Sequence, residues 1–457
     1  MRLYVLLLFV ALGATLILVP VVRRIALGFN VLTPPRERDV HSIPIPRLGG
    51  VALMGGIVLA LVVGNSIPFF KPAYQESSAL WAVAVGSIAI CLLGVIDDVW
   101  ELDWLAKLAG QFLVAGGMAI AGVQLVNIPL FGVSVGSARL SVLLSAVLLV
   151  AIMNAVNFVD GLDGLAAGVI AIGALGFFAY SYLLTRLTGE LLYLSGAAII
   201  TMALAGACIA FLWYNFHPAS IFMGDSGSMV LGLVLGSAAI IVTGQLNPML
   251  LTGSSTVATW MPLILPVAVL VVPIADLVIT PAIRVIHGRS PVAADRTHLH
   301  HRLLTQGHSH RGVVFILYGW TALVVVVSVA LIRFSPKVVL LAALPFFVLS
   351  VIATLHQFPR SRRRSRGAGT PGGPVVVDDG VQVISGGGMR VWYPLTGYET
   401  AVELQGAVSK GVEEPVVEGP LDPDVPDGVK RIWHPLSGHQ PTGQHRLVNS
   451  LEEDRDD

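Results

Sequence analysis

Four side chains able to bind a metal or a phosphate group recur at every third position within residues 154–163. They are two amides and two carboxylates, Asn154, Asn157, Asp160 and Asp163. On a continuing helix this spacing places them along one narrow face. Long apolar segments flank the stretch, and a carboxylate at the centre of a bilayer costs roughly 2.5–3.5 kcal/mol on insertion scales. The group is therefore predicted to face a polar cavity or a membrane surface, with a plain polar loop between two spans as the alternative.

Two further acidic clusters carry matching chemistry. Asp97 and Asp98 are adjacent at the end of an apolar segment, and Lys107 follows ten residues later. Adjacent acids repel each other unless a cation is close by, and Mg²⁺ takes a few carboxylate oxygens while leaving other positions to water and substrate phosphates. Asp225 lies in a Gly-Asp-Ser-Gly-Ser turn, and backbone N–H groups at a helix start favour anions. Together these clusters predict a site for a metal–phosphate complex.

A basic segment between residues 295 and 303, DRTHLHHRL, complements the acids. It contains His298, His300, His301 and Arg302. The spacing is too compressed for usual tetrahedral zinc ligation, and no cysteine assists. We therefore predict that these side chains donate hydrogen bonds to a pyrophosphate. A surface histidine cluster without function is the alternative.

The composition is that of a membrane protein. Of the 457 residues, 55% are hydrophobic and 12% charged, and the mean hydropathy is +0.79, whereas a soluble protein carries about 25% charged residues. We predict an all-α polytopic membrane protein of about eleven transmembrane helices, at roughly 20 apolar residues per span. The predicted spans are 3–22, 49–65, 79–96, 105–125, 139–157, 162–183, 191–213, 227–245, 260–283, 313–332 and 337–357.

Lysine and arginine mark one side of the predicted membrane region, because these residues concentrate in cytoplasmic loops. One set of loops carries most of them, in the segments 23–47, 284–311 and 360–366, whereas the opposite set has only Lys71, Arg186, Arg333 and Lys337. The N-terminus is therefore predicted outside and the C-terminus in the cytoplasm. In this orientation the acidic clusters all face the cytoplasm.

The C-terminal part has a different character. We predict a membrane domain over 1–358, a basic and Gly/Pro-rich linker over 359–388, and an acidic appendage over 389–457. From Gly367 onwards there are 15 acidic and 6 basic residues, a net charge of −9, although the whole chain is neutral. Two related segments, RVWYPLTGY and RIWHPLSGH, begin about 41 residues apart and suggest paired short β elements. No chemistry is assigned to this part.

Four motifs in this order carry a resemblance to a known family. DDVWELDWLAK, NAVNFVDGLDGLAAG, NFHPASIFMGDSGSMVLG and DRTHLHHRL resemble those of the polyprenyl-phosphate N-acetylhexosamine-1-phosphate transferases, of glycosyltransferase family 4 type, over roughly residues 1–358. The His-x-His-His-Arg form is similar to the branch that uses UDP-GlcNAc. The branch that transfers phospho-MurNAc-pentapeptide typically has three consecutive histidines there.

The resemblance implies a reaction in which a polyprenyl phosphate attacks the β-phosphorus of UDP-GlcNAc and releases UMP. It implies a Mg²⁺ cofactor, with Mn²⁺ as a substitute, an active site on the cytoplasmic face of the plasma (inner) membrane, and no nucleic-acid partner; it is compatible with a homodimer. The implied metal ligands are Asp225 and Asn157. The implied catalytic acids are Asp97, Asp98 and Asp160. The implied substrate contacts are Lys107, Asn154, Asp163, Asn215, His298, His300, His301 and Arg302.

Other interpretations of the sequence remain open at this stage. A transporter also has polar residues within apolar spans, but it would place charges near the midplane and show two related halves. A lipid-binding scaffold without catalysis would leave the acids and histidines unexplained. Within the resembled family, another UDP-N-acetylhexosamine or UDP-MurNAc-pentapeptide is the alternative donor.

Overall fold

The computed structural model describes two compact units of the chain. They are Met1–Arg360 and Ser361–Asp457. The described residues are 1–33, 45–125, 137–188, 193–245, 303–304 and 307–355 in the first unit, and five strands between 375 and 431 in the second.

The first unit is a bundle of apolar helices. Its helices are α1 (Arg2–Gly28), α2 (Gly49–Ser66), α3 (Lys71–Glu76), α4 (Ala79–Trp100), α5 (Trp104–Ile120), α6 (Ala138–Val159), α7 (Leu165–Thr188), α8 (Tyr193–Asn215), α9 (Gly224–Gln245), α10 (His310–Ala330) and α11 (Pro336–Leu355). Among the described helices, nine are long and apolar enough to cross a membrane, while α5 has 17 residues and α3 has 6. The predicted ninth span, 260–283, lies outside the described residues, so the total of eleven stays a prediction.

Helix α9 is the centre of the bundle and is buried from Ser226 to Thr243. It packs against α2, α4, α6 and α8. Small residues let neighbouring backbones approach closely in membrane proteins, and a Cβ atom added to Gly232 would lie 2.5 Å from the Cα atom of Met153 in α6. These four helices are therefore positioned by their contacts with α9.

Two glycines bring α2 and α4 directly against the first turn of α9. A Cβ atom added to Gly50 would lie 2.1 Å from the backbone nitrogen of Gly227, and one added to Gly94 would lie 2.3 Å from the Cα atom of Ser226. Both neighbours are backbone atoms that cannot rotate away. This packing holds the C-terminal turn of α4 beside the N-terminus of α9.

We expect Gly94→Ala to lower the free energy of unfolding by about 1–3 kcal/mol, because the added methyl group overpacks the contact between α4 and α9. Gly116→Ala in α5 is the matched control, since a Cβ atom there has no neighbour within 4 Å, and alanine in a helix interior is favoured over glycine by roughly 0.5–1 kcal/mol. Thermal unfolding in detergent measures both variants. Equal stability of the two would contradict this account of the contact.

A pair of short strands leads the chain from α1 to α2. Strand β1 (Leu32–Thr33) pairs antiparallel with β2 (Ile45–Pro46). Beyond β2, the Phe222 N–H donates to the Pro46 carbonyl at 2.9 Å, and the Gly49 and Gly50 N–H groups donate to Phe222 and Met223 at 3.0 and 2.9 Å. Residues 46–50 are thereby held against the segment just before α9.

One face of α4 is apolar and exposed along the whole helix. Its exposed residues follow helical spacing and are Trp81, Val85, Ile88, Leu92, Ile96, Val99 and Trp100. Trp81 and Trp100 are about 28 Å apart at 1.5 Å per residue, close to the roughly 30 Å thickness of a bilayer's hydrocarbon core. Tryptophan is enriched at both membrane–water interfaces. This face therefore has the length and the end residues of a lipid-facing surface.

The second unit contains a five-stranded antiparallel sheet in sequential order. Its strands are β3 (Val375–Val377), β4 (Val381–Ser385), β5 (Met389–Trp392), β6 (Glu399–Leu404) and β7 (Val429–Arg431). The first related segment begins in β5 and the second begins at the last residue of β7. These two strands do not pair with each other, because each lies on one side of β6. The helical prediction thus describes the first unit, whereas the described residues of the second unit form a β-sheet.

Candidate functional site

Four helix ends carrying polar side chains meet at one end of the first unit. The last turn of α4 contributes Asp97 and Asp98, and the first turn of α5 contributes Lys107. Asn157 lies in the last turn of α6, and Asp225 in the first turn of α9. The structure therefore brings together five of the predicted site residues from four separate segments.

Lys107 bridges two of the carboxylates. Its Nζ atom lies 2.8 Å from Asp97 Oδ2 and 3.0 Å from Asp225 Oδ1. The Asp97 side chain is 7% exposed and that of Asp225 29% exposed, so the cluster is shielded on the α4 side and accessible through Asp225. Asn157 Nδ2 also donates to Asp225 Oδ1, and to Ser228 Oγ at 2.8 Å.

Asp98 binds the N-terminus of α9. Its Oδ1 accepts the Asp225 N–H at 2.9 Å and its Oδ2 accepts the Ser226 N–H at 3.1 Å. A carboxylate is favoured there by unpaired N–H groups and by the helix dipole. Gly224 has a φ of +71°, and a Cβ atom on it would lie 2.4 Å from Asp98 Oδ2. The sequence predicted that this turn favours an anion, and the anion bound there in the structure is the Asp98 side chain.

Asp160 lies directly after α6, beside the same acids. Burial raises the pKa of its carboxyl group to about 7, and the negative charges of Asp225, Asp98 and Asp163 act in the same direction. The positive charge of Arg47 opposes this rise in the pKa. Arg47 follows β2 in the segment held against residues 222–223. The site thus includes a cation from the segment before α2, which was not among the predicted site residues.

Asn154 lies one turn before Asn157 and points into the bundle. Its Nδ2 donates to Gln111 Oε1 and to the Val150 carbonyl, both at 2.8 Å. Gln111 is fully buried in α5, and its Nε2 contacts the sulfur of Met229 in α9 at 3.1 Å. In this structure Asn154 therefore links α5 and α6, and its substrate contact stays a prediction. Gln111 was not among the predicted site residues. It lies four residues after Lys107, so the two side chains share one face of an otherwise apolar helix, and this spacing could have indicated it.

The loop after α6 is joined to the loop after α8. Asn215 is buried, its Oδ1 accepts the Gly164 N–H at 3.0 Å, and its Nδ2 donates to the Ile221 carbonyl at 3.0 Å. Asp163 Oδ2 lies 2.9 Å from His217 Nδ1 and accepts the Ala219 N–H at 3.1 Å. Asn215 and Asp163 were among the predicted site residues, but His217 was not, because a histidine beside a proline carries no spacing signal. The predicted contacts of Asn215 and Asp163 with substrate stay predictions.

The predicted basic cluster lies outside the described residues. His298, His300, His301 and Arg302 all belong to the undescribed stretch between 246 and 302. Leu303, the next residue, is buried. That these side chains donate hydrogen bonds to a pyrophosphate stays a prediction.

The donor set suits a hard cation such as Mg²⁺. Carboxylate and amide oxygens are its usual protein ligands, and Mg²⁺ commonly takes only one or two carboxylates while substrate phosphates and water complete its shell. No group of three or more His, Cys, Asp or Glu residues within the described part of the chain could enclose a metal by itself. Asp225 with Asn157 therefore fits a shared protein–substrate metal site, where a cation would compete with Lys107 for Asp225.

The bundle and this cluster define a polytopic membrane protein with a cluster of acidic side chains and one lysine at one end. The family model described as "Glycosyl transferase family 4" matches residues 80–243, which include Asp97, Lys107 and Asp225. The chain belongs to glycosyl transferase family 4, as the resemblance of its motifs indicated.

Relatives with assigned names cover most of the chain. A decaprenyl-phosphate N-acetylglucosaminephosphotransferase of Mycolicibacterium smegmatis is 40% identical over 354 residues, which is 77% of this chain and 87% of the relative. The protein of the same name from Mycobacterium tuberculosis is 42% identical over 339 residues, 73% of this chain and 84% of the relative. A "probable undecaprenyl-phosphate N-acetylglucosaminyl 1-phosphate transferase" of Bacillus subtilis is 33% identical over 316 residues, 68% of this chain and 79% of the relative.

Proposed function

We propose that this protein transfers N-acetylglucosamine-1-phosphate from UDP-GlcNAc to a polyprenyl phosphate, releasing UMP and forming polyprenyl-diphosphate-GlcNAc. The observation that carries the proposal is the Lys107 bridge between Asp97 and Asp225, because it places a cation among acids where two phosphate-bearing substrates must meet. The names of the relatives support a polyprenyl phosphate acceptor and N-acetylglucosamine phosphate as the transferred group. Polyprenyl-linked sugars of this kind would serve cell-wall or surface-polysaccharide assembly.

The chain's own residues act through charge and position. Lys107 is a compact positive charge that offsets the negative charge of an incoming phosphate. Asp98 holds the first turn of α9, so that the Asp225 carboxylate lies at a defined position. Asn157 would bind an ion there through its amide oxygen. A Mg²⁺ ion bound by Asp225 and Asn157 would polarise the donor's phosphates. An acceptor phosphate oxygen forms a bond to the β-phosphorus, and the bond from that phosphorus to the UMP oxygen breaks.

A general base contributes little to this reaction. A phosphate monoester has a second pKa near 6, so the acceptor is largely dianionic at pH 7. We therefore assign Asp97 a positioning role through Lys107, rather than removal of a proton.

The proposed site lies at a membrane surface. Asp97 and Asp98 are within one turn of Trp100, which ends the exposed apolar face of α4. A lipid acceptor would have its phosphate at this level and its chain in the bilayer. The distribution of Lys and Arg supports a cytoplasmic site in the plasma (inner) membrane, where nucleotide sugars are available.

A direct assay tests the proposal. Purified protein in detergent would be incubated with radiolabelled UDP-GlcNAc, Mg²⁺ or Mn²⁺, and undecaprenyl or decaprenyl phosphate. We expect labelled lipid and UMP with either ion, and neither product with EDTA. Label transfer only from UDP-GalNAc or UDP-MurNAc-pentapeptide would change the donor, and transport without transfer in proteoliposomes would overturn the enzyme proposal.

Light scattering of the same preparation tests whether the protein is a homodimer.

A pH profile tests whether the ionised form of Asp160, one of the implied catalytic acids, controls the rate. Because Arg47 lowers the pKa of Asp160, Arg47→Met should raise it further. We expect the acidic limb of the pH–rate profile to move to higher pH by about one unit. Arg23→Met, at an exposed position in α1, is the control. An unshifted limb in Arg47→Met would show that Asp160 does not control the rate.

A further inference from the structure

The first turns of α10 contact the loop that follows α8. Arg311 donates from Nε and Nη2 to the carbonyl oxygen of His217, at 3.1 and 2.8 Å. Its guanidinium also lies over the ring of Phe216, 5.9 Å from the centroid. Two parallel donors and a cation–π contact restrict the position of this backbone more than one hydrogen bond would.

His217 carries this restraint to an acid of the candidate site. The His310 ring stacks on the His217 ring at a centroid distance of 5.0 Å. On its other side, His217 Nδ1 lies 2.9 Å from Asp163 Oδ2. Contacts from α10 therefore reach Asp163 through a single intervening side chain.

A second contact lies two turns further along α10. Tyr318 donates its hydroxyl to the Gly164 carbonyl at 2.5 Å. Gly164 has a φ of +77°, a conformation that is strained for side chains other than glycine. The Phe315 ring, between the two contacts, lies 5.8 Å from the Phe216 ring. The loop after α6 and the loop after α8 are thus both bound by one helix.

We infer that the N-terminal half of α10 is a clamp that positions Asp163 and the 160–164 loop for the nucleotide-sugar substrate, with Arg311 and Tyr318 as its positioning residues. The inference rests on the proposed function for the identity of that substrate. The physical reason is that a glycine-containing loop samples many conformations, whereas transfer between two bound phosphates requires positions accurate to about 0.5 Å. Neither positioning residue needs to touch the reacting atoms.

Arg311→Gln tests the clamp kinetically in the full-length protein in nanodiscs. We expect the KM for UDP-GlcNAc to rise about tenfold, while the KM for polyprenyl phosphate stays unchanged, because the loop misplaces only the nucleotide side. Arg311→Lys keeps the charge but loses the two-donor geometry, so its effect should be intermediate. Arg333→Gln, exposed just after the other end of α10, is the matched control. A fall in kcat alone, or equal changes in both KM values, would overturn the clamp.

A double-mutant cycle tests whether the restraint passes through His217. If it does, combining Arg311→Gln with His217→Gln should raise the KM for UDP-GlcNAc little beyond the larger single effect, since both changes break one chain of contacts. If the fold-changes in KM of the two single variants multiply in the double variant, the two residues act independently, and the proposed path is refuted.

Amide hydrogen exchange separates the clamp from the proposed reaction. In Arg311→Gln and Tyr318→Phe we expect faster exchange at residues 160–168 and 216–220, by about tenfold, with unchanged exchange in α4. Exchange unchanged in both loops would overturn the clamp whatever the activity. A different outcome is a wild-type protein that transfers no sugar phosphate although both loops exchange faster in the two variants. In that case the proposed function fails, and the clamp stands as a structural device.

Discussion

Asp225→Asn is expected to lower the transfer rate by about 10³-fold, the loss that follows removal of one charged group from a preorganised site. The side chain keeps its shape, but the Lys107 ammonium loses one of its two carboxylate partners, and the proposed metal site loses its negative ligand. Initial rates at saturating Mg²⁺ and UDP-GlcNAc measure the effect.

The Mg²⁺ dependence of the remaining activity identifies the cause. If Asp225 holds the cation, the residual activity of Asp225→Asn should require much higher Mg²⁺ than the wild type. A variant with wild-type rate and wild-type Mg²⁺ dependence would remove Asp225 from the proposed site. Thermal unfolding is the control for folding. We expect it to be unchanged in Asp225→Asn, because Asp98 binds the backbone N–H of residue 225 and not its side chain.

Asp97→Asn is expected to lower the rate by roughly 10²–10³-fold, with little recovery at high pH. The carboxylate accepts the Leu102 N–H at 2.9 Å and holds Lys107 at 2.8 Å. An asparagine keeps an oxygen for Leu102 but loses the charge that orients Lys107. Because the acceptor phosphate is already dianionic at pH 7, a higher pH does not make it a better nucleophile and cannot replace the lost charge of Asp97. Rates between pH 6 and 9 test this.

The matched control is Asp103→Asn in the same connecting segment. Asp103 is exposed and caps α5 by accepting the Leu105 N–H at 3.0 Å. Asparagine is an equally good N-cap, so this variant removes one negative charge without disturbing the helix. We expect near wild-type activity. A full alkaline rescue of Asp97→Asn would instead establish Asp97 as a general base.

The site depends on helix packing as much as on its polar groups. Gly50 and Gly94 allow α2 and α4 to touch the backbone of α9, and Asp98 then reaches the N–H groups of Asp225 and Ser226. Without this close approach, Lys107 could not contact both Asp97 and Asp225. Residues that contribute no chemistry therefore set the distances on which the proposed chemistry depends.

Much of this arrangement was predictable from residue types. Apolar length located the described spans within a few residues at most ends, because a bilayer demands a continuous apolar segment. The repulsion of Asp97 and Asp98, the polar stretch that contains Asn157 and the small-residue turn around Asp225 together indicated a metal–phosphate site, beside which Lys107 supplies positive charge.

Contacts between distant segments were not predictable in the same way. The sequence placed Asp98 among the acids, but only the folded bundle shows that it caps α9 across 127 positions. His217 and Arg311 were missed, and they meet only because α10 packs against α7 and the loop after α8.

The sequence by itself thus determined which residues must avoid lipid and which helices must form, since both follow from local composition and periodicity. The tertiary structure decided which polar groups pair. Pairing depends on how closely the backbones approach at Gly50 and Gly94, where an added Cβ atom would lie 2.1 and 2.3 Å from a backbone atom of α9, and on the mutual orientation of helices. Neither quantity is encoded in the spacing of residues along a single helix.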